Sequence, residues 1–192
     1  MSHGPHASGH HHPPSPPEKR IHLVQGEHVV TSDPNAVLVT LLGSCVAACI
    51  RDPVAGVGGM NHFLLPGEDD RADAMRRGVH AMEMLVNGLL TQGARRERLE
   101  AKLFGGARMV DGLTDVGSKN GAFAERFLER EGIKYAGGSL GGDQARRIQF
   151  WPVSGRVRQL LVERQDDAVF QSERVRVRAP VVAPSDGAVE LF

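Results

Sequence analysis

The run Ala36-Val37-Leu38-Val39-Thr40-Leu41-Leu42-Gly43-Ser44-Cys45-Val46-Ala47-Ala48-Cys49-Ile50 decides how this chain is read. Its first seven residues are almost wholly apolar and rich in β-branched and aliphatic side chains, the pattern of a strand buried on both faces. Gly43-Ser44 interrupts the run with a small-residue turn. Val46 to Ile50 then resumes the apolar pattern until Asp52-Pro53 stops it. Cys45 therefore stands where a turn meets a strand. A second apolar stretch, Gly56 to Leu65, carries a single histidine, His62, and is closed by Pro66-Gly67. One thiol and one imidazole on separate neighbouring strands is how a cysteine nucleophile and its base look in sequence.

Outward from this centre, Ile21, Leu23 and Val29-Val30 predict two short strands around Gly26. From Ala72 to Gln92 the apolar residues recur at threes and fours, which predicts a helix ended by Gly93. Met75, Met82 and Met84 lie in that helix and are read as core filler. His80, also within it, is expected at the surface or partly buried. Leu99 to Phe104 reads as a strand running into Gly105-Gly106, where missing side chains suit either a plain turn or a loop facing substrate. A second helix is expected over 120–131, with Phe123, Phe127 and Leu128 inward and Gly132 beyond its end. Strands are expected over 133–136, 147–153 and 156–163, the last two forming a hairpin about Ser154-Gly155. The fold class is α+β: a mixed or antiparallel sheet core packed with two main helices, holding the reactive pair at the edge of a rigid sheet.

A chain of 192 residues that is 41% hydrophobic is long enough for one well-buried core, and one domain is expected over 20–164. Residues 1–19, rich in Gly, Pro, Ser and histidines (His3, His6, His10, His11, His12), read as a disordered tail to which no metal role is assigned. Residues 165–192 read as an edge strand or an extended tail. Lys plus Arg and Asp plus Glu are 23 each, so no overall field favours nucleic acid or an anionic membrane. No apolar run reaches membrane-spanning length, and the expected location is the cytoplasm. Cys45 and Cys49 on an extended strand would lie about 13 Å apart, beyond the ~7 Å limit of a disulfide. Cys49 is then a small buried hydrophobe. Zinc held by Cys45, Cys49 and His62 is disfavoured, because three ligands at this spacing fit neither a structural nor a catalytic pattern.

Gly43 and Ser44 also suit the electrostatics of acyl transfer. Small residues let a substrate approach the main chain, whose N–H groups can face the developing oxyanion. Ser44 itself has no separate base and is set aside as nucleophile.

The ordered set of segments resembles the chemoreceptor glutamine deamidases, the CheD family. Leu42-Gly43-Ser44-Cys45-Val46 and Asn61-His62-Phe63-Leu64-Leu65-Pro66 carry the resemblance first. Ala101-Lys102-Leu103-Phe104-Gly105-Gly106-Ala107, Asn120, Gly132-Ile133, Gly141-Gly142, Arg146-Arg147 and Ser154-Gly155-Arg156 follow in the family's order, so that the likeness covers roughly residues 20 to 164. It implies a cysteine-hydrolase-like layered sandwich and a protein-glutamine glutaminase that uses no cofactor. The substrate would be glutamine side chains on the cytoplasmic helices of chemotaxis receptors, and a CheC-type phosphatase is a further implied partner. The same resemblance implies a threonine that orients the histidine, for which Thr40 is the candidate. Some relatives place one more residue between threonine and cysteine, which puts Val39 at the equivalent position. The rival reading is a non-catalytic adaptor that binds receptors or the phosphatase, but a binding module needs no thiol-imidazole pair.

Overall fold

The computed structural model describes residues 17–65, 71–109 and 116–162. Expectations for residues 1–16 and for the C-terminal segment from 163 lie outside the described residues. The elements run β1 (Lys19–His22), β2 (His28–Thr31), β3 (Ala36–Leu42), β4 (Val46–Asp52), β5 (Val57–Asn61), α1 (Arg71–Thr91), β6 (Glu100–Gly105), α2 (Val116–Arg130), β7 (Lys134–Leu140), β8 (Ala145–Trp151) and β9 (Arg156–Val162). Among the described residues order begins before Ile21, since Glu18 already accepts a hydrogen bond from the Trp151 indole.

The strands divide into two sheets, ordered β1-β3-β8-β9 and β2-β5-β4-β6-β7. Both are mixed, with β1 parallel to β3, β6 parallel to β7, and the other pairs antiparallel. Alternation along β4 sorts its side chains between two cores. Ala47 and Cys49 meet Leu38, Leu42, Ile148 and Phe150 of the first sheet. Val46, Ala48 and Ile50 face the other way, into a larger core built with α1 and α2. The architecture is thus α+β in three layers, sheet on sheet on helices. Phe150, Leu38, Leu42 and Met60 are fully buried between the sheets, each contributing about 1.5–3 kcal/mol relative to exposure.

Both helices stop as their glycines foretell. Gly93 and Gly132 have positive φ, and the following N–H reaches back to Leu89 and Leu128 respectively, the six-residue closure of a helix C-terminus.

Four expectations need correction. Of the three methionines only Met82 is core; Met75 and Met84 are 45% and 40% exposed, because they fall beside the stripe of Ala74, Met82, Leu85 and Leu89. The second helix begins four residues earlier, at Val116. Gly117 permits this, since a Cβ there would overlap the carbonyl oxygens of Gly106 and Ala107. The strand expected to end at Ala136 continues to Leu140 through Gly137-Gly138, both at positive φ, where the pairing with β6 slips its register. Two glycines in a strand hide a bulge that periodicity cannot detect. Finally, β4 and β5 are interior strands, so Cys45 and His62 lie at strand ends and not on a sheet edge.

Candidate active site

Cys45 immediately precedes β4. Val46 exchanges two backbone hydrogen bonds with Phe63, both 2.9 Å, which continues the β4/β5 register past the end of β5. That register sets His62 opposite Ala47 and Cys45 opposite Leu64. Cys45 and His62 are then diagonal neighbours on one face, about 7–8 Å apart at the backbone and within side-chain reach. The face they share is the one that carries Ala47 and Cys49 towards the first sheet.

Thr40 approaches from that sheet. Its Oγ1 lies 2.8 Å from His62 Nδ1 and 2.9 Å from the Leu23 carbonyl oxygen. A hydroxyl has one hydrogen, and a carbonyl can only accept. Thr40 therefore donates to Leu23 and accepts from Nδ1–H, which leaves Nε2 with its lone pair. His62 is 5% exposed, and Nε2 is buried without a hydrogen-bond partner. Burial pulls the imidazole pKa from 6.5 down to about 4, a Leu23 backbone hydrogen bond opposing it weakly. The ring is neutral at physiological pH, in the tautomer that can take a proton. Val39 points to the opposite face of β3 from Thr40 and does not share this arrangement.

The turn before Cys45 is held by its carbonyls. Gly43 O accepts from Ala107 N–H at 2.9 Å, Ser44 O from the Asn120 side-chain amide at 2.8 Å, and Cys45 O from Gly106 N–H at 2.8 Å. Gly105 and Gly106 have φ of 110° and 66°, and a Cβ on Gly105 would overlap the Cys45 carbonyl oxygen. Both glycines are buried, with Gly105 against the main chain of Cys45. Because the Gly106 N–H is spent on Cys45, these residues support the turn from behind.

Three residues in this neighbourhood were not singled out by sequence reasoning for a role. Gln25 sits in a tight turn between Val24 and Glu27, and its Oε1 accepts from the Cys45 thiol at 3.5 Å. Asn61 Oδ1 accepts from Ala48 N–H at 2.9 Å, while its Nδ2 donates to Ala81 O at 3.1 Å, tying the histidine strand to α1. Asn120 is fully buried and joins Ser44 to Leu65. A buried amide has no periodic signal, so only its isolation among apolar neighbours could have marked it. Cys49 is 2% exposed, and burial pushes its thiol pKa far up, Lys102 opposing only in part, so it is inert at neutral pH.

A family model described as CheD chemotactic sensory transduction matches residues 64–160. A protein of Caulobacter vibrioides, named probable chemoreceptor glutamine deamidase CheD, is 57% identical over 185 residues, covering 95% of this chain and 98% of its own length. Proteins with the same name from Rhizobium leguminosarum bv. trifolii and Acidiphilium cryptum are 63% and 59% identical, each over 91% of this chain and 96% and 94% of their own. The chain belongs to the CheD family. In this CheD chain the register and hydrogen bonds give Cys45 and His62 each a physical place. Among the described residues, no helix is long and apolar enough to cross a membrane.

Proposed function

We propose that this protein is a protein-glutamine deamidase that converts glutamine side chains of chemoreceptors to glutamate, with Cys45 as nucleophile, His62 as base and Thr40 as the group that orients it. The observation that carries the reading is the neutral His62, locked by Thr40 with a bare Nε2, on the same strand face as Cys45. It occurs in a chain 57% identical to a named deamidase.

The thiol gives its proton to Nε2 and the thiolate sulfur attacks the carboxamide carbon of glutamine. Negative charge then gathers on the former carbonyl oxygen, beside the main chain of Gly43-Ser44-Cys45. The imidazolium returns its proton to the departing nitrogen, ammonia leaves, and a thioester remains. Water, activated by the same Nε2, hydrolyses the thioester to glutamate and frees the thiol. Threonine serves as the third member because it fixes the tautomer while adding no charge, in keeping with a base that is neutral at rest.

Each turnover adds one negative charge to a receptor. The functional unit is residues 20–164, working in the cytoplasm where the modified receptor helices lie, and a CheC-type phosphatase is the further partner the family implies. The test is mass spectrometry of a receptor cytoplasmic fragment incubated with the protein. The mass gain of an amide-to-acid exchange should appear at defined glutamines with wild type and be absent with Cys45→Ala. An unmodified fragment with folded wild type would overturn the reading.

A further inference from the structure

We infer that Asn120 is a positioning residue for the oxyanion: through the Ser44 carbonyl it aims the Cys45 peptide N–H at the reacting centre. This rests on the acyl-transfer reading of Cys45 and extends it to a side chain on α2 that touches neither the thiol nor the imidazole.

In a trans peptide the carbonyl of one residue and the N–H of the next point in opposite directions, and the described chain contains no cis bond. Asn120 Nδ2 donates to Ser44 O at 2.8 Å, so the Ser44–Cys45 plane is fixed with its carbonyl towards α2 and the Cys45 N–H away from it. The Gly43–Ser44 plane is fixed in the same manner by Ala107 N–H on Gly43 O, and the Ser44 N–H points away from Ala107. The next plane shows the rule at work: Cys45 O is taken by Gly106 while Val46 N–H goes to Phe63 on the other side.

The helices cover the face of β4 opposite to the one bearing Cys45 and His62. Away from α2 is therefore towards the nucleophile and its base. A carbonyl turned the other way would present an oxygen where the developing oxyanion must sit, and the two would repel.

The rest of Asn120 is equally committed. Its Oδ1 accepts from Leu65 N–H at 2.8 Å, three residues beyond His62, so one amide ties the nucleophile turn to the histidine segment. The side chain is wholly buried. Asparagine is the residue that can accept on one atom and donate on the other in this span. Aspartate keeps the acceptor for Leu65 but faces Ser44 O with a second oxygen, unless protonated.

The test separates acyl transfer from thiol reactivity. Acylation by p-nitrophenyl acetate passes through an oxyanion; alkylation by iodoacetamide displaces iodide at a saturated carbon and has none. For Asn120→Asp at pH 8, corrected for folded fraction by circular dichroism, acylation should fall on the order of 10²-fold, the scale of losing one oxyanion donor. Alkylation should change little. Burial raises the new carboxyl's pKa, so on lowering the pH towards 5.5 the protonated acid donates to Ser44 O and the acylation deficit relative to wild type should shrink. Asn120→Ala, with nothing to protonate, should show a constant deficit. Equal losses of acylation and alkylation, or a deficit in Asn120→Asp that ignores pH, would overturn the proposal. The ester decides Asn120 independently of receptor glutamines, so a failure of the substrate reading is separately visible in the receptor-fragment assay.

Discussion

At the scale of single residues, the site depends on which atom holds each proton. Thr40 passes its one hydrogen to Leu23 O and thereby dictates that His62 carries its own on Nδ1. Thr40→Val preserves shape and β-branching but removes the hydroxyl that bridges Nδ1–H and Leu23 O, and with it that constraint. Stability should fall by about 1–3 kcal/mol, while turnover per folded molecule falls at least roughly tenfold, the mark of a lost orienting bond beyond a lost contact. Urea titration and ammonia release on the same preparations check both; unchanged turnover would remove Thr40 from the mechanism. Gln25 acts in the opposite sense. Its Oε1 accepts from the Cys45 S–H at 3.5 Å, a bond that must break before the sulfur can attack. Gln25→Ala should accelerate iodoacetamide alkylation by roughly threefold to tenfold, the scale of one hydrogen bond of about 1 kcal/mol. A slower reaction would assign Gln25 a supporting role instead.

At the scale of elements, the sequence speaks clearly where one period governs and poorly where backbones approach each other. The buried run of β3, the β4 restart after Gly43-Ser44 and the α1 stripe were legible because each is a plain repeat of apolar positions. That Cys45 and His62 stand on adjacent strands was legible from the two apolar runs that carry them, and the register puts them on one face. What could not be read is long-range contact without side chains. Gly117 allows α2 to start early against Gly106, and Gly137-Gly138 lets β7 bulge past β6. Gly105-Gly106 suggested a loop facing substrate, but the close approach lies between Gly105 and the main chain of Cys45, behind the nucleophile. Gly105→Ala should therefore fail as a structural lesion. Its φ of 110° is strained for alanine and its Cβ meets the Cys45 carbonyl, so stability should drop by more than about 2 kcal/mol with activity lost in parallel. Denaturant midpoint and turnover should move together; intact stability with lost activity would restore the substrate-facing reading.

At the scale of the whole molecule, two buried titrating groups set how the fold responds to acid. His62 has a folded pKa of about 4 against 6.5 free, because burial disfavours its charged form. A base with a lowered folded pKa takes up its proton more readily when unfolded. Its contribution is full above pH 6.5 and is lost as pH falls through 4, a total of about 3 kcal/mol. Asp52 terminates β4 and is inaccessible. Burial alone would raise its pKa, but hydrogen bonds from the Arg98 side chain and the backbone of Arg95, Ala55 and Val54 outweigh that and hold the carboxyl well below the usual range. Its stabilisation is full above the unfolded value of 3.8 and declines as pH falls further. The two groups thus act in the same direction through successive windows. Urea midpoints measured from pH 8 to 3 should be level above 6.5, fall by the equivalent of one proton between 6.5 and 4, and go on falling at about that slope below 4, where Asp52 takes over from His62. His62→Gln should flatten the upper window and leave the lower one. Asp52→Asn should do the reverse, starting from a lower plateau because Arg98 loses its buried anion. A wild-type midpoint that stays constant between pH 6.5 and 4 would mean that folded His62 takes up its proton at the same pH as the unfolded chain, and that burial does not disfavour its imidazolium. Turnover would then fade below pH 6.5 as the ring loses the Nε2 lone pair that receives the Cys45 proton, whereas a base held neutral by burial keeps turnover level down to about pH 4.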